Sequence, residues 1–178
     1  MVDSTADKTL RRVLLISAID GWSIAIFAGL CTFISLLFGE WIGVSIGAMI
    51  TFAGVVELRG RTRLLRGNIS GLDWLIRAQV LILATVGLYA FRNLLAFDEA
   101  VLLAEVTPEI RNAIDQLGIS MADIERLMKP IYYGLYLTVI GVTLLFQGGL
   151  ALYYASRRTK ITGALAAQQA QPPSLQTM

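Results

Sequence analysis

The chain has 178 residues, of which 56% are hydrophobic and only 16% are charged, and its mean hydropathy is +0.65. Because roughly a quarter of the residues of a soluble domain are charged, this composition argues against a soluble protein and indicates an integral membrane protein. The net charge of +2 identifies no partner, whereas the absence of histidine excludes Ser-His-Asp catalysis, His-ligated haem and most zinc enzymes. The single cysteine, Cys31, lies in an apolar run, so we interpret it as a packing residue.

The N-terminal segment, residues 1–19, is predicted to be cytoplasmic and to contain an amphipathic helix on the membrane surface. Its apolar side chains fall on one side of a helix from about residue 7 to residue 18. Asp20 then caps the membrane helix that follows. Alternatively, residues 13–38 form one helix roughly 39 Å long, which places Asp20 roughly 10 Å inside it.

Four apolar stretches are long enough to cross a bilayer, which takes about 20 residues of helix. They show no alternation with a period of two residues, so we predict helices and not strands. The stretches cover residues 20–38, 41–58, 72–96 and 131–155. The first two are joined by the turn F-G-E-W and form a hairpin over residues 20–58. The predicted fold is an all-α polytopic membrane protein with a bundle of four transmembrane helices.

Residues 59–71, between the second and third spans, contain a dense group of arginines. This charge predicts foremost a short cytoplasmic loop that sets the orientation of the chain. If the loop is helical, the arginines largely share one side and form a candidate site for anionic phospholipid. Nucleic-acid binding is disfavoured because the stretch has no aromatic residue on which bases could stack. The arginines are Arg59, Arg61, Arg63 and Arg66.

The connection between the third and fourth spans, residues 97–130, is too long for a bare loop and predicts an extracytoplasmic helical cap. Thr107, followed by a proline, marks the start of one short amphipathic helix, and Gly118 marks its end. A second short amphipathic helix is predicted to start at Ser120. After the fourth span, residues 156–178 are predicted to be a disordered cytoplasmic tail, because their last part is rich in Ala, Gln and Pro.

The distribution of positive charge predicts that both termini are cytoplasmic. Ten Lys and Arg residues flank the spans on one side and three on the other, and the cytoplasmic side carries the excess. The twelve arginines against three lysines are typical of a GC-rich bacterial genome. We therefore predict a multi-pass protein of the bacterial cytoplasmic membrane.

Small residues recur at helical spacing in the predicted spans. Such stripes let helix backbones approach closely in lipid, where no hydrophobic effect drives helices together. They predict tight packing within the chain, between chains, or both. The glycines with this predicted role are Gly21, Gly29, Gly43, Gly47, Gly134, Gly141 and Gly148.

Polar side chains in or near the spans are candidates for ion chemistry, because such groups are costly in lipid. In one interpretation they are caps and interface anchors, with ion pairs between residues four apart, Asp73 with Arg77 and Glu57 with Arg61. In the other they form a buried cluster at the cytoplasmic mouth of the bundle that binds a proton or another ion. The residues concerned are Asp20, Glu57, Asp73, Arg77, Gln79 and Gln147.

These patterns predict a non-enzymatic protein without a cofactor or a metal site. No nucleophile is paired with a base, and the sequence has neither metal-ligand spacing nor a phosphate loop. The favoured function is an accessory, scaffold or interaction subunit of a membrane assembly. Its partners would be membrane lipid, a second copy or another membrane protein, with no nucleic acid. The alternative is a small oligomeric channel or carrier.

Overall fold

The computed structural model describes residues 5–104, 106–116, 118 and 120–170, and these residues form helices without any strand. The fourth apolar stretch is continuous from Met121 to Ser156. It consists of two α-helical segments that are joined by a short π-helical turn. The helices are α1 (Thr5–Leu37), α2 (Trp41–Leu65), α3 (Ser70–Leu95), α4 (Glu99–Ala104), α5 (Pro108–Gln116), α6 (Met121–Thr143), the π-helical turn (Leu144–Gly148), α7 (Gly149–Ser156) and α8 (Arg158–Ala170).

Four helical stretches are long and apolar enough to cross a membrane: α1, α2, α3 and the stretch from α6 to α7. The shortest of them, α2, has 25 residues, which at 1.5 Å per residue extends about 38 Å and exceeds the roughly 30 Å of a hydrocarbon core. The prediction of an all-helical chain with four such helices is confirmed.

The described residues divide into two compact units. The first comprises those up to Thr85 together with those from Leu144 onward, and the second comprises residues 86–143. In the first unit α1 and α2 form an antiparallel hairpin. Its turn is a Schellman motif, in which Glu40 N–H donates to the Ser35 carbonyl and Gly39 N–H to the Leu36 carbonyl. Gly39 has a φ of 72°, a conformation that glycine adopts without steric cost.

The same motif ends α2. Asn68 N–H donates to the Arg63 carbonyl, Gly67 N–H donates to the Leu64 carbonyl, and Gly67 has a φ of 74°. The Asn68 side chain then accepts a hydrogen bond from Ser70 N–H at the start of α3. Glycine therefore sets both tight turns of this unit.

Small residues let α1, α2 and α3 approach closely. A Cβ atom on Gly54 would lie 2.9 Å from the Ala25 backbone nitrogen, and one on Gly60 would lie 2.8 Å from the Gly71 carbonyl oxygen. Four glycines of the predicted stripes also face the neighbouring helix of the α1–α2 hairpin, where a Cβ would come nearest to the side chain named in each case. These pairs are Gly21 with Leu58, Gly29 with Thr51, Gly43 with Ser35, and Gly47 with Thr32.

Two features of α1 differ from the sequence-based interpretation. The helix is continuous from Thr5 to Leu37, so Asp20 lies in its interior and does not cap a membrane helix. The physical reason is that no glycine or proline interrupts residues 5–20, and a capping residue alone does not end a helix that can continue. In addition, the Cys31 side chain is exposed on α1 and is not a packing residue.

The segment after the fourth span is helical as far as Ala170, where the sequence predicts a disordered tail. Ile161, Ala164 and Leu165 of α8 are buried in one apolar cluster with Leu10 and Val13 of α1. These apolar side chains exclude water by covering one another. The remainder of the predicted disordered tail, residues 171–178, lies outside the described residues.

In the second unit, the helices of the long connection follow local capping signals. The Thr107 side chain accepts a hydrogen bond from Ile110 N–H at the start of α5, and its hydrogen bond to Glu109 holds the pKa of that carboxyl below the usual value. Ser120 caps the helix that begins at Met121. This helix runs on through Pro130 as α6, so residues 120–130 form no separate helix.

Tyrosine side chains attach α6 to the end of α3 within this unit. The Tyr132 hydroxyl donates to the Asn93 carbonyl over 3.0 Å, and the Tyr136 ring meets the Tyr89 ring edge-on at 6.2 Å. The opposite side of α6 carries Gly134 and Gly141, since each lies between about 140° and 200° around the helix from the two tyrosines of α6. A Cβ on either glycine would meet no described atom within 4 Å.

Candidate functional site

Glu57 is placed by two glycines at the point where α1, α2 and α3 come together. Gly54 and Gly60 lie one turn before and one turn after it on α2, and each permits a close backbone approach, Gly54 to α1 and Gly60 to α3. The Glu57 side chain is therefore completely buried, with 0% exposure. Full burial of a glutamate requires compensating hydrogen bonds, because a desolvated carboxyl is costly.

Two hydrogen bonds connect polar side chains of α1, α2, α3 and α7 in pairs at this point. The Tyr154 hydroxyl, on α7, donates to Glu57 Oε1 over 3.0 Å. The Gln79 amide, on α3, donates from Nε2 to Oδ2 of Asp20 on α1 over 2.9 Å. Asp20 lies on the part of α1 that packs against Glu57, since a Cβ on the adjacent Gly21 would lie 3.5 Å from Glu57 Cβ. These four residues are called the carboxyl cluster below.

Three buried oxygen atoms in this unit lack a hydrogen-bond partner among the described residues. Two belong to the carboxyl cluster, Glu57 Oε2 and Gln79 Oε1, and the third is Oε1 of Gln147 in the π-helical turn. All three are acceptors, and leaving such an atom unsatisfied costs on the order of 1–3 kcal/mol. An acceptor-rich site of this kind can take up a proton or coordinate a small cation.

The structure brings together three of the six polar residues that the sequence singles out: Asp20, Glu57 and Gln79. The other three are placed differently. Asp73 pairs with Arg158 of α8, with 3.0 Å between Oδ1 and Nη2, Arg77 is exposed, and Gln147 lies two turns before Tyr154 on the fourth stretch.

The ion pairs predicted between residues four apart do not form. Asp73 takes Arg158 as its partner, and Arg61 donates from Nε to the Leu14 carbonyl over 3.1 Å instead of binding Glu57. Tyr154 was not singled out from the sequence. The only local signal was its position beside Tyr153, and nothing in that signal points to a partner 97 residues away.

The predicted basic loop is mostly helical, since α2 extends to Leu65 and its last two turns carry most of the arginines. Arg59, Arg63 and Arg66 are exposed. The Arg63 guanidinium lies 4.3 Å from the centre of the Trp74 ring, a cation–π contact that fixes its position at the exposed end of the helix. The arginines also lie at the helix C-terminus, where positive charge is favoured.

No group of three or more His, Cys, Asp and Glu side chains that could hold a metal ion occurs in the described part of the chain. Comparison with protein-family models, with curated proteins and with solved structures finds no match for this chain. The carboxyl cluster is therefore the candidate functional site.

Proposed function

We propose that the protein is a small non-enzymatic carrier or channel of a cytoplasmic membrane, and that the carboxyl cluster is its ion site. The observation that carries the proposal is Glu57, whose unpartnered Oε2 is buried beside a second carboxyl within a candidate membrane span. Ionisable groups in such spans are expensive to retain and typically mark ion or proton pathways.

A purely structural role accounts less well for this arrangement. An interface anchor extends its charged end to water, whereas Glu57 is completely buried. A buried polar group kept only for stability is expected to be fully hydrogen-bonded, because partly satisfied networks are less stable than an apolar core of the same volume. Glu57 Oε2 and Gln79 Oε1 do not follow that pattern, because both are buried and neither has a hydrogen-bond partner among the described residues.

The distribution of charge supports an orientation with both termini in a bacterial cytoplasm. Arg59 follows Glu57 by two residues, and Arg61 and Arg63 lie within the next two turns of α2. Positive residues of this density mark the cytoplasmic side. In this orientation the carboxyl cluster lies near the cytoplasmic end of the spans, where an ion could exchange with the cell interior.

Reconstitution of the purified full-length chain into liposomes tests the proposal. A pH-sensitive dye and a sodium-sensitive dye inside the liposomes report ion entry under an imposed potassium diffusion potential with valinomycin. We expect entry of one ion with the wild-type protein and its loss with Glu57→Gln. The matched control is Glu40→Gln, because Glu40 is an exposed carboxylate in the α1–α2 turn, and this variant should behave as wild type.

Ion entry equal to that of empty liposomes would contradict the proposal, and so would entry unchanged by Glu57→Gln.

The second candidate function, an interaction subunit, is favoured by one observation. A Cβ on Gly134 or Gly141 would meet no described atom within 4 Å, and both glycines lie on the side of α6 opposite the tyrosines that pack on α3. Glycine at an open helix face permits close packing with a helix of another chain.

A bulky substitution distinguishes this second function. If the glycine face of α6 contacts a second copy or another membrane protein, Gly141→Leu should abolish that association. The measurement is the mass of the protein in mild detergent by light scattering, together with the proteins that co-purify. A monomer with no co-purified protein in the wild type would contradict it.

A further inference from the structure

We propose that the ion held by the carboxyl cluster is a proton, shared between Glu57 and Asp20. The inference rests on the proposed function, because it names the ion bound at the same site.

The donors in the cluster are too few for its acceptors. Two ionised carboxylates present four oxygen atoms and no donor. The Tyr154 hydroxyl satisfies Glu57 Oε1, and the Gln79 amide satisfies Asp20 Oδ2. Glu57 Oε2 is left buried without a donor. A proton on this oxygen supplies the missing donor, and the proposed acceptor is the carboxyl of Asp20, which neighbours Gly21 on the part of α1 that packs against Glu57.

The charges around the cluster also require one positive charge. Two carboxylates in contact repel each other strongly when both are ionised, so such pairs hold one proton between them. The groups that hydrogen-bond to Asp20 and Glu57 are the uncharged side chains of Gln79 and Tyr154.

Arg59, two residues after Glu57 on α2, is exposed. Arg61 donates from Nε to a backbone carbonyl of α1, and Arg158 of α8 pairs with Asp73. No cationic side chain therefore hydrogen-bonds to either carboxyl in the described part of the chain. A bound proton removes the repulsion that two ionised carboxylates would have here.

The number of free oxygen atoms favours a proton over a metal cation. Calcium and magnesium ions take six or more oxygen ligands. In the described part of the chain the cluster leaves two buried side-chain oxygen atoms without a hydrogen-bond partner, Glu57 Oε2 and Gln79 Oε1. A proton needs only Glu57 Oε2 and one facing acceptor, and both are present. Binding is the formation of one O–H bond on Glu57, and release returns the proton to water or to the facing carboxylate.

Infrared spectroscopy of the purified full-length protein in detergent tests the inference without depending on ion flux. At neutral pH we expect a carbonyl stretching band of a protonated carboxyl group that shifts in deuterium oxide. Glu57→Gln should remove the band, and Asp20→Asn should shift it because the acceptor changes. Tyr154→Phe, which keeps the volume of the side chain, should shift it as well. Glu40→Gln is the control and should leave it unchanged.

Three results would overturn the inference: no such band in the wild type, a band that survives Glu57→Gln, or a band that disappears when sodium chloride replaces choline chloride. The last result would assign a sodium ion to the site. A band that behaves as expected in a protein without ion flux supports the shared proton and contradicts the proposed function. Sodium flux without the band supports the proposed function and contradicts the proton.

Discussion

Tyr154 donates its hydroxyl hydrogen to Oε1 of Glu57 over 3.0 Å, and both side chains have 0% exposure. The hydrogen bond connects α7 to α2 across 97 residues of sequence. The Tyr154 ring belongs at the same time to the apolar cluster formed with Leu10 of α1 and Ile161 of α8. Tyr154 therefore contacts both the carboxyl cluster and the apolar residues that hold α8. We expect a substitution in either group to change the packing of the other.

Removing the Tyr154 hydroxyl should destabilise the protein without leaving a large void. Tyr154→Phe takes away the one donor to Glu57 Oε1, and a buried acceptor without a partner costs about 1–3 kcal/mol. We expect a loss of that size in the free energy of unfolding, measured by urea denaturation in mild detergent. Tyr153→Phe is the matched control, because its hydroxyl forms no hydrogen bond that the structure records and its ring contact with Arg157 is retained. Equal losses in the two variants would contradict the assigned hydrogen bond.

The α2–α3 hairpin should not tolerate a methyl group at Gly60. A Cβ there would lie 2.8 Å from the Gly71 carbonyl oxygen and 2.9 Å from Trp74 Cβ, and overpacking of this kind typically costs 1–3 kcal/mol. Gly60→Ala should therefore lower the midpoint of thermal unfolding in detergent. Gly87→Ala is the control, since a Cβ at Gly87 in α3 meets no described atom within 4 Å, and it should be neutral or stabilising by up to about 1 kcal/mol. If both variants unfolded at the same temperature, the close contact of α2 and α3 would be refuted.

Apolar burial should hold α8 in place more strongly than its ion pair does. Ile161 is completely buried, and truncation of such a side chain to alanine costs about 2–5 kcal/mol. Arg158 and Asp73 are 55% and 37% exposed, and a pair this accessible contributes about 0–1 kcal/mol. Hydrogen exchange of the α8 amides should therefore rise far more in Ile161→Ala than in Arg158→Gln. The reverse order would show that the ion pair anchors the helix.

Labelling of single cysteines checks the orientation of the chain. In a Cys31→Ala background, we expect a membrane-impermeant maleimide to label Asn112→Cys in intact bacterial cells, because α5 lies in the connection assigned to the outside. Asn68→Cys, between α2 and α3, should be labelled only after the cells are permeabilised. Labelling of Asn68→Cys in intact cells would refute cytoplasmic termini and would place the carboxyl cluster at the other surface.

The arginines at the end of α2 should bind anionic phospholipid. Each basic residue near an anionic surface contributes about 1 kcal/mol, so replacing Arg59, Arg63 and Arg66 together by glutamine should weaken binding to phosphatidylglycerol by roughly two orders of magnitude. Lipid retained on the purified protein, measured by native mass spectrometry, provides the readout. Arg111→Gln in α5 is the control. Lipid retention equal to that of the wild type would leave these arginines with a role in orientation alone.

Local signals in the sequence were sufficient for the helices and for several of their ends. Gly39 and Gly67 lie where the chain needs a left-handed residue to turn, and apolar runs of sufficient length predicted all four candidate spans. The same signals failed where the secondary structure of one segment depends on its contacts with another. Ile161 and Leu165 form an apolar face only if α8 is helical, and α8 is stabilised as a helix by covering Leu10 and Val13 of α1.

The candidate site was predictable in part. Asp20, Glu57 and Gln79 could be singled out because each is polar in an apolar context, and this property is visible in one dimension. The partners of the polar residues could not be predicted. Asp73 and Arg77, for example, are spaced to pair along one helix, but Asp73 pairs with Arg158 of α8 instead. Helical spacing shows which side chains can meet, but it does not show which other helix competes for them.

The sequence by itself therefore determined the helical class of the fold, the number of long apolar helices and the expected direction of the chain, because length, hydropathy and charge act locally and additively along it. Only the tertiary structure decided that Glu57 packs against α1 next to Asp20 and accepts a hydrogen bond from Tyr154, and that Gln79 and not Arg77 completes the cluster. The physical reason is that these contacts join α1, α2, α3 and α7. Which side chains meet depends on how closely glycines such as Gly54 and Gly60 let the helices approach.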